Sequence, residues 1–564
     1  MHSPSSLPSS ACDLSLASSS VNIRGARQLF NTWVTPVVES VGPLTRHVAP
    51  PKELLDQALD DWNNPTNPSE VTKEVTSTIF THRLPLLTRG TQARTGGSQQ
   101  RRITTIEMVP DDTLLEIFDF YRSDAINQSR GRPWKWHRLA HVCKRWRYVV
   151  SVSPRRLGLQ ILCKSKASIK SILDSWPTLP LVVRYKAPKS KSLPKNFILA
   201  LRCPDRVREI ELVLPRSLIG PIVEVIVGPF QALECVQIEV KNATEPPMLA
   251  REAFLDGCAP RLREIKLDGI VFPFSAIRQV LLSTNNLVQL NLSNIPKDAN
   301  FSPDDLISGL STLAQLRRLT VGFHFPSSVP PPSRTHPPPR RITLPSLKIL
   351  NFRGATEYLE EFIARIDLPA IREITIRLFN QFFFEIPQFC QFIPRLDVLK
   401  SPTELMVVPA AKFVNLIFTQ RGKRRLVQGE WVLGTSCERL DWQLSFVTQI
   451  LSQLSPLLPS VISFSINKPS GLSTKEDMDP AQWVELFRPF THVKTVHIPD
   501  YLVPDIVDVL VAEDMATGVF PELNSLYLEG YGKSPSVAKA AEQFVATRRQ
   551  SGQTIDLSDL GRAL

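Results

Sequence analysis

A triplet of apolar residues at positions one, four and six of a short segment recurs along this chain. The copies are Val207/Ile210/Leu212, Leu233/Val236/Ile238, Leu262/Ile265/Leu267, Leu287/Leu290/Leu292, Leu316/Leu319/Val321, Leu347/Leu350/Phe352 and Ile371/Ile374/Ile376, then Val461/Phe464/Ile466, Val493/Val496/Ile498 and Leu523/Leu526/Leu528. Successive starts lie 26, 29, 25, 29, 31 and 24 residues apart in the first seven, and 32 and 30 in the last three. A near-constant period of this length marks a chain built from stacked supersecondary units. Positions four and six share one side of an extended strand and position one turns inward from the preceding bend, so each copy predicts a strand with one buried edge. Between copies, Ile277/Val280/Leu281, Leu306/Ile307/Leu310 and Leu359/Phe362/Ile363/Ile366 have the spacing of helices that cover that edge. Pro260, Pro345, Pro369, Pro459 and Pro521 each stand two residues before a triplet, where proline stops a helix and forces an extended start.

These LxxLxL units resemble leucine-rich repeats over roughly residues 205 to 530. The resemblance implies an α/β solenoid with a parallel sheet. The family's Asn or Cys eight residues after the first Leu is absent, that position being Ile270 after Leu262 and Ile295 after Leu287. Pro326 to Pro345 reads as a proline-rich loop, and residues 400 to 458 show no triplet. The alternative is an ordinary α/β domain with a parallel sheet; both readings give a sheet flanked by helices.

Ahead of the repeats the pattern is purely helical. Pro110, Asp111 and Asp112 suit a first helical turn, and Leu114, Ile117, Phe118 and Tyr121 then recur as one apolar face. A second run places Trp136, Leu139, Val142, Cys143, Trp146 and Val150 at helical intervals. Two or three helices in so short a stretch enclose little core of their own, so part of the apolar face is expected to await a partner. For Leu114 and Trp146 individually, core and interface remain equal alternatives.

The segments LLxIF and LAxVCKRW resemble an F-box, and the following Val149 to Leu159 is similar to the continuation in basidiomycete F-box proteins with degenerate leucine-rich repeats. Met108 stands where Leu is usual, and Arg122 to Pro133 lengthens the link between the two runs. The resemblance implies a non-catalytic adaptor that binds the Skp-family subunit of a cullin-RING ubiquitin ligase. Pro110, Leu114, Leu115, Ile117 and Phe118 would supply one part of the docking surface, and Leu139, Val142, Cys143, Lys144 and Trp146 the other. The repeats would hold an unidentified protein substrate. Solenoids commonly offer the strand side, which points to fifth positions such as Lys266, Asn291 and Thr320 as substrate-binding residues.

The domain reading is therefore a mostly disordered leader at 1–103, the F-box at 104–157, the leucine-rich-repeat-like domain at 158–540 and a C-terminal tail at 541–564. The leader is rich in Ser, Pro, Thr and Gly, although Leu54, Leu55, Ala58, Leu59 and Trp62 have helical spacing. Eight cysteines are scattered singly with no CxxC pair, which fits reduced thiols of the cytoplasm or nucleus. No apolar stretch has the length and purity of a membrane span. His137, His141 and Cys143 lack a fourth ligand for zinc, and Gly532-Lys533-Ser534 lacks the first glycine of a phosphate loop. No catalytic, cofactor or metal residues are expected. The net charge of +12 favours acidic partners, but the basic residues fall in small groups, so a solvated face is expected ahead of a nucleic-acid site. Three functions compete: the ligase adaptor, a ligase-independent repeat scaffold and a basic nucleic-acid binder.

Overall fold

The computed structural model describes residues 109–128, 137–153, 160–163, 179–186, 194–241, 248–250, 254–296, 301–324, 341–379, 385–397, 399–410, 413–421, 427–436, 440–467, 480–499, 519–529, 535–550 and 552–559, with a few isolated positions between them. The leader, including the helical spacing at Leu54 to Trp62, lies outside the described residues. The chain divides into two compact units, Met1–Leu114 and Leu115–Leu564. Of the first, Val109–Leu114 are described, and they open a helix.

That helix, α1, spans Asp111–Gln128 and carries Asp111 and Asp112 in its first turn, where carboxylates complement the exposed N–H groups of the helix end. The second run is two helices, α2 (His137–Val142) and α3 (Lys144–Val152). The chain breaks at Cys143, which is extended (φ −154°, ψ 171°), and its Sγ accepts the Trp146 N–H at 3.4 Å.

The rest is built on one sixteen-stranded sheet. Its strands are β1 (Ile161–Cys163), β2 (Leu181–Lys186), β3 (Val207–Pro215), β4 (Cys235–Lys241), β5 (Glu264–Asp268), β6 (Gln289–Ile295), β7 (Arg318–Phe323), β8 (Ile349–Gly354) and β9 (Glu373–Leu378). They continue as β10 (Glu404–Ala410), β11 (Phe413–Arg421), β12 (Val427–Ser436), β13 (Ser463–Ile466), β14 (Thr495–Ile498), β15 (Ser525–Leu528) and β16 (Asp556–Asp559). Strands β1 to β9 lie side by side, all parallel, and β13 to β16 do the same.

All thirty side chains of the ten triplets are at most 5 % exposed. At about 1.5–3 kcal/mol for each fully buried aliphatic or aromatic side chain, these rows are the main driving force of the fold. A main-chain ladder at the second triplet position links neighbours: the N–H groups of Arg263, Val288, Arg317, Lys348 and Arg372 each donate to the second-position carbonyl of the preceding strand, at 2.8–2.9 Å. In three repeats the eighth position, where the family has Asn, is apolar and packed inside: Ile270 and Ile295 are fully buried and Phe379 nearly so. Aromatic rings lie behind the sheet and touch from repeat to repeat, Phe274 on Phe301 (4.8 Å), Phe301 on Phe323 (5.9 Å) and Phe323 on Tyr358 (4.8 Å).

Helices cover the buried side where the spacing predicted them, at Phe274–Ser283, Pro303–Leu310 and Thr356–Ile363. Elsewhere the cover is thinner among the described residues, with a 3-10 turn, Leu255–Gly257, between β4 and β5. The unit of strand then helix thus holds for some repeats and not for others. Two further expectations are corrected. Residues 341–345, read as the end of a loop, include a short strand, Ile342–Thr343, paired with Ile366–Asp367. The sheet also does not stop at 540: the helix Pro535–Gln550 leads into β16, which pairs in parallel with β15, so the segment read as a tail is the last repeat.

Residues 400–458, where no triplet is visible, form an antiparallel meander. From β9 the chain passes two strand positions to β10, returns through β11 and again through β12, which pairs in parallel with β9. Helix Leu440–Gln453 follows before β13, which joins the far side of β10. The inward rows cross this inversion unbroken: Ile374, Trp431, Phe418, Leu405 and Phe464 are partners in register, and all are buried.

Candidate functional site

The ten residues of the F-box-like motif fall on α1, α2, α3 and their junctions, but not on one solvent-facing surface. Leu114 and Phe118 are fully buried, and Leu115, Leu139 and Trp146 are 6–7 % exposed. Ile117, Val142 and Cys143 are half-buried, and Pro110 and Lys144 are exposed. Phe118 and Trp146 meet edge to face with ring centroids 4.7 Å apart, a packing that ties α1 to α3. Arg147 Nε donates to the Ala140 carbonyl at 3.0 Å and fixes α3 against α2. Cys143 has a local role as the cap of α3. The apolar residues these helices leave outside are others: Phe120 is 65 % exposed, Tyr148 62 % and Val152 57 %. Tyr148 and Val152 are one turn apart on α3, opposite buried Val149 and Val150, and form a short apolar stripe.

Lys266, Asn291 and Thr320 stand side by side in register on β5, β6 and β7, on the face away from the helices, and all three are half-buried. They belong to a row that runs across the whole sheet. On β2 to β8 it reads Arg184, Glu211, Gln237, Lys266, Asn291, Thr320 and Asn351; the meander places Val432, Ile417 and Met406 in it; Ser465, His497 and Tyr527 follow. The start of the row is charge-paired. Arg184 meets Glu209 at 2.7 Å and Glu211 at 3.2 Å, and Lys266 lies 3.6 Å from Glu239, which also binds Lys241. Asn351 donates to Thr320 Oγ1 at 3.2 Å. The open face is thus polar and cross-linked at the first repeats and apolar at the meander, an arrangement suited to contacting another surface.

Burial pushes the Cys163 and Cys235 thiols up to about 12 and the Cys390 thiol up to about 11, which leaves them protonated and weakly nucleophilic near neutral pH. Burial likewise raises the Glu360 carboxyl to about 7, against the pull of the Gln388 and Phe389 N–H groups it accepts at 2.6 and 3.0 Å. Glu360 therefore anchors the start of helix Pro387–Phe392. Among the described residues no group of three or more His, Cys, Asp or Glu side chains is placed to hold a metal ion. No described helix is long and apolar enough to cross a membrane.

The second positions of the first seven triplets carry a pattern of their own. Those residues are Arg208, Glu234, Arg263, Val288, Arg317, Lys348 and Arg372, basic at five of the seven, a signal present in the sequence alone.

No protein-family model matches the chain, and no curated protein does. Among solved structures, the chain is similar to the leucine-rich repeat-containing protein LegL7 from Legionella pneumophila, at 12 % identity over 64 % of this chain and 97 % of that one, with a TM-score of 0.25. A likeness that slight adds no weight. The repeat architecture rests on this chain's own strands, a mixed α/β solenoid with a large, mostly parallel sheet and leucine-rich-repeat-like buried triplets.

Proposed function

We propose that the chain is a protein-binding adaptor in which α1 to α3 act as an F-box that docks on a Skp-family subunit, and the solenoid holds a substrate protein for a cullin-RING ubiquitin ligase. In this reading the chain has no catalytic residue and needs no cofactor, and it works in the cytoplasm or nucleus. The observation that carries it is the pairing of the LLxIF and LAxVCKRW motifs with apolar side chains left outside the small helical module, at Phe120, Tyr148 and Val152. Docking surfaces of this kind rely on a few buried anchors worth about 2 kcal/mol or more each. The buried motif residues then shape the module and the half-buried Ile117 and Val142 border the docking face.

The test is co-purification. The double variant Tyr148→Asp/Val152→Asp changes only exposed positions, so its folding stability is expected to stay within about 0.5 kcal/mol per site while Skp and cullin disappear from the purified complex. Retention of both would remove the F-box assignment.

A second reading, a repeat scaffold that works without any ligase, is favoured by the enclosure of Leu114, Leu115, Phe118, Leu139 and Trp146 within this chain. It expects neither Skp nor cullin with the unaltered protein.

A further inference from the structure

The second-position residues form a continuous edge where the strands begin. Its main-chain ladder places Arg263, Val288, Arg317, Lys348 and Arg372 on successive strands β5 to β9. Neighbouring strands are about 4.8 Å apart, so the backbone sets the Cα atoms of the last three basic residues at roughly that spacing. Arg261 and Arg318 flank the row. All six basic side chains are exposed, and among the described residues none of them makes an ion pair or a side-chain hydrogen bond. Like charges on directly opposed strand positions are destabilising, and no ion pair among the described residues relieves them here. By contrast, Arg208 at the start of the edge is neutralised by Glu234 at 2.9 Å.

The edge is not flat. A hollow of about 610 Å³ opens along β3 to β7, and Arg261, Arg263 and Arg317 line it together with the amides of Asn285, Asn286 and Gln315. Guanidinium forks match carboxylates in a bidentate geometry, and side-chain amides can both donate to and accept from a peptide backbone.

From this geometry we infer that the edge is a docking groove for a short, extended, acidic segment of a partner protein. The inference rests on the protein-binding reading of the solenoid and specifies what that surface takes. The basic run from β5 to β9 covers about 19 Å, which an extended peptide spans with roughly six residues. Glu234 lines the hollow but is paired with Arg208, and beyond the far end of the run stand Glu373 and Glu430, partners across β9 and β12. A uniformly charged phosphate backbone would be repelled where it ran past Glu373 and Glu430, whereas a peptide can confine its charge to the middle. No aromatic side chain lines the hollow, so nucleic-acid bases would have no stacking platform.

The full-length chain is titrated with a short fluorescein-labelled Glu-rich peptide and, in parallel, with a single-stranded DNA oligonucleotide of matched charge. The double variant Arg263→Glu/Arg317→Glu is expected to weaken peptide binding by roughly tenfold or more, and added salt to weaken it in the unaltered protein. The control Arg278→Glu/Arg488→Glu makes the same change in net charge at two exposed positions, one on the helix Phe274–Ser283 and one in the turn after the helix Pro480–Phe487, and is expected to bind as the unaltered chain does. Equal loss in both variants would mean that bulk charge alone attracts the peptide, and would overturn the groove. So would DNA binding tighter than the peptide and lost in the same variant, which would make the edge a nucleic-acid surface. A natural partner that still co-purifies with Arg263→Glu/Arg317→Glu would overturn the groove while leaving the scaffold reading intact; loss of all partners from the unaltered chain would instead sink the scaffold.

Discussion

The parallel runs of the sheet and the meander between them bury the same inward rows by different means. In β1 to β9 and β13 to β16, each strand is laid beside its predecessor and each buried triplet meets its own repeat in the next strand. In β10 to β12 the strands run seven to ten residues, the middle one runs backwards, and one aromatic stack fills the row: Trp431 and Phe418 lie parallel with centroids 3.7 Å apart, and Phe389 meets Trp431 at 5.7 Å. A repeat array is stabilised mainly by nearest-neighbour interfaces. The difference teaches that what passes along this sheet is the register of inward side chains, and chain direction can be reversed locally without breaking it.

Cavities test that lesson with the largest effects. Trp431→Ala is expected to cost about 3–5 kcal/mol, and Leu319→Ala in the parallel run about 2–5 kcal/mol. Hydrogen exchange should separate them. Loss at Leu319 should loosen β6 to β8, while loss at Trp431 should loosen β9 to β13 together, because both runs meet at that stack. Exchange confined to β12 in the Trp431 variant would break the comparison.

A glycine pair sharpens it further. Gly322 on β7 and Gly434 on β12 belong to one register row, through Arg353 and Arg377. A Cβ on Gly322 would meet nothing nearer than Arg353 Cβ at 3.7 Å, so Gly322→Ala should change stability by no more than about 0.5–1 kcal/mol, in the stabilising direction. A Cβ on Gly434 would collide with Asn415 Oδ1 and stand 2.8 Å from the Val414 carbonyl, which is backbone and cannot step aside. Gly434→Ala should therefore cost about 1–3 kcal/mol, read from the denaturant midpoint. Equal midpoints would show that the meander is not held more tightly than the parallel run.

The smallest effect is electrostatic. Glu360, on the helix behind β8, is held by burial at about 7, above its ordinary 4.5. A carboxyl raised in the fold contributes stability that is full below the unfolded value and is lost as pH rises through the folded one. The unaltered protein should lose stability relative to Glu360→Gln between pH 4.5 and about 7, and hold a constant difference above that range. Parallel profiles for the two proteins would mean that the two N–H groups, not burial, control this carboxyl.

Much of the solenoid was legible because its buried residues repeat in forward order. The meander was not, for two reasons that lie in particular residues. Pro402, not an aliphatic residue, stands three before Leu405, so the triplet there loses its first member; and the inward residues of β11, Leu416 and Phe418, are read in reverse. Strand β2 was missed because Leu181, Val182 and Val183 are all buried, which erases the alternation that marks a one-sided strand. Among the candidate sites, the helical positions of the F-box-like residues were readable from spacing. Which of them face outward was not, because one apolar stripe serves core and surface alike until the partner helix is placed: Phe118 and Trp146 turned toward each other, and Tyr148 was left outside.

A sheet of sixteen strands that pair side by side ends at just two strands, β1 and β16. Each is among the shortest, three and four residues, and β16 has an aspartate at either end, Asp556 and Asp559. An incoming copy seeking to extend the sheet would find few free peptide groups and, on one side, the exposed carboxylate of Asp556. The same brevity that makes these terminal strands hard to read in the sequence disfavours end-to-end joining of a molecule made of stackable parts.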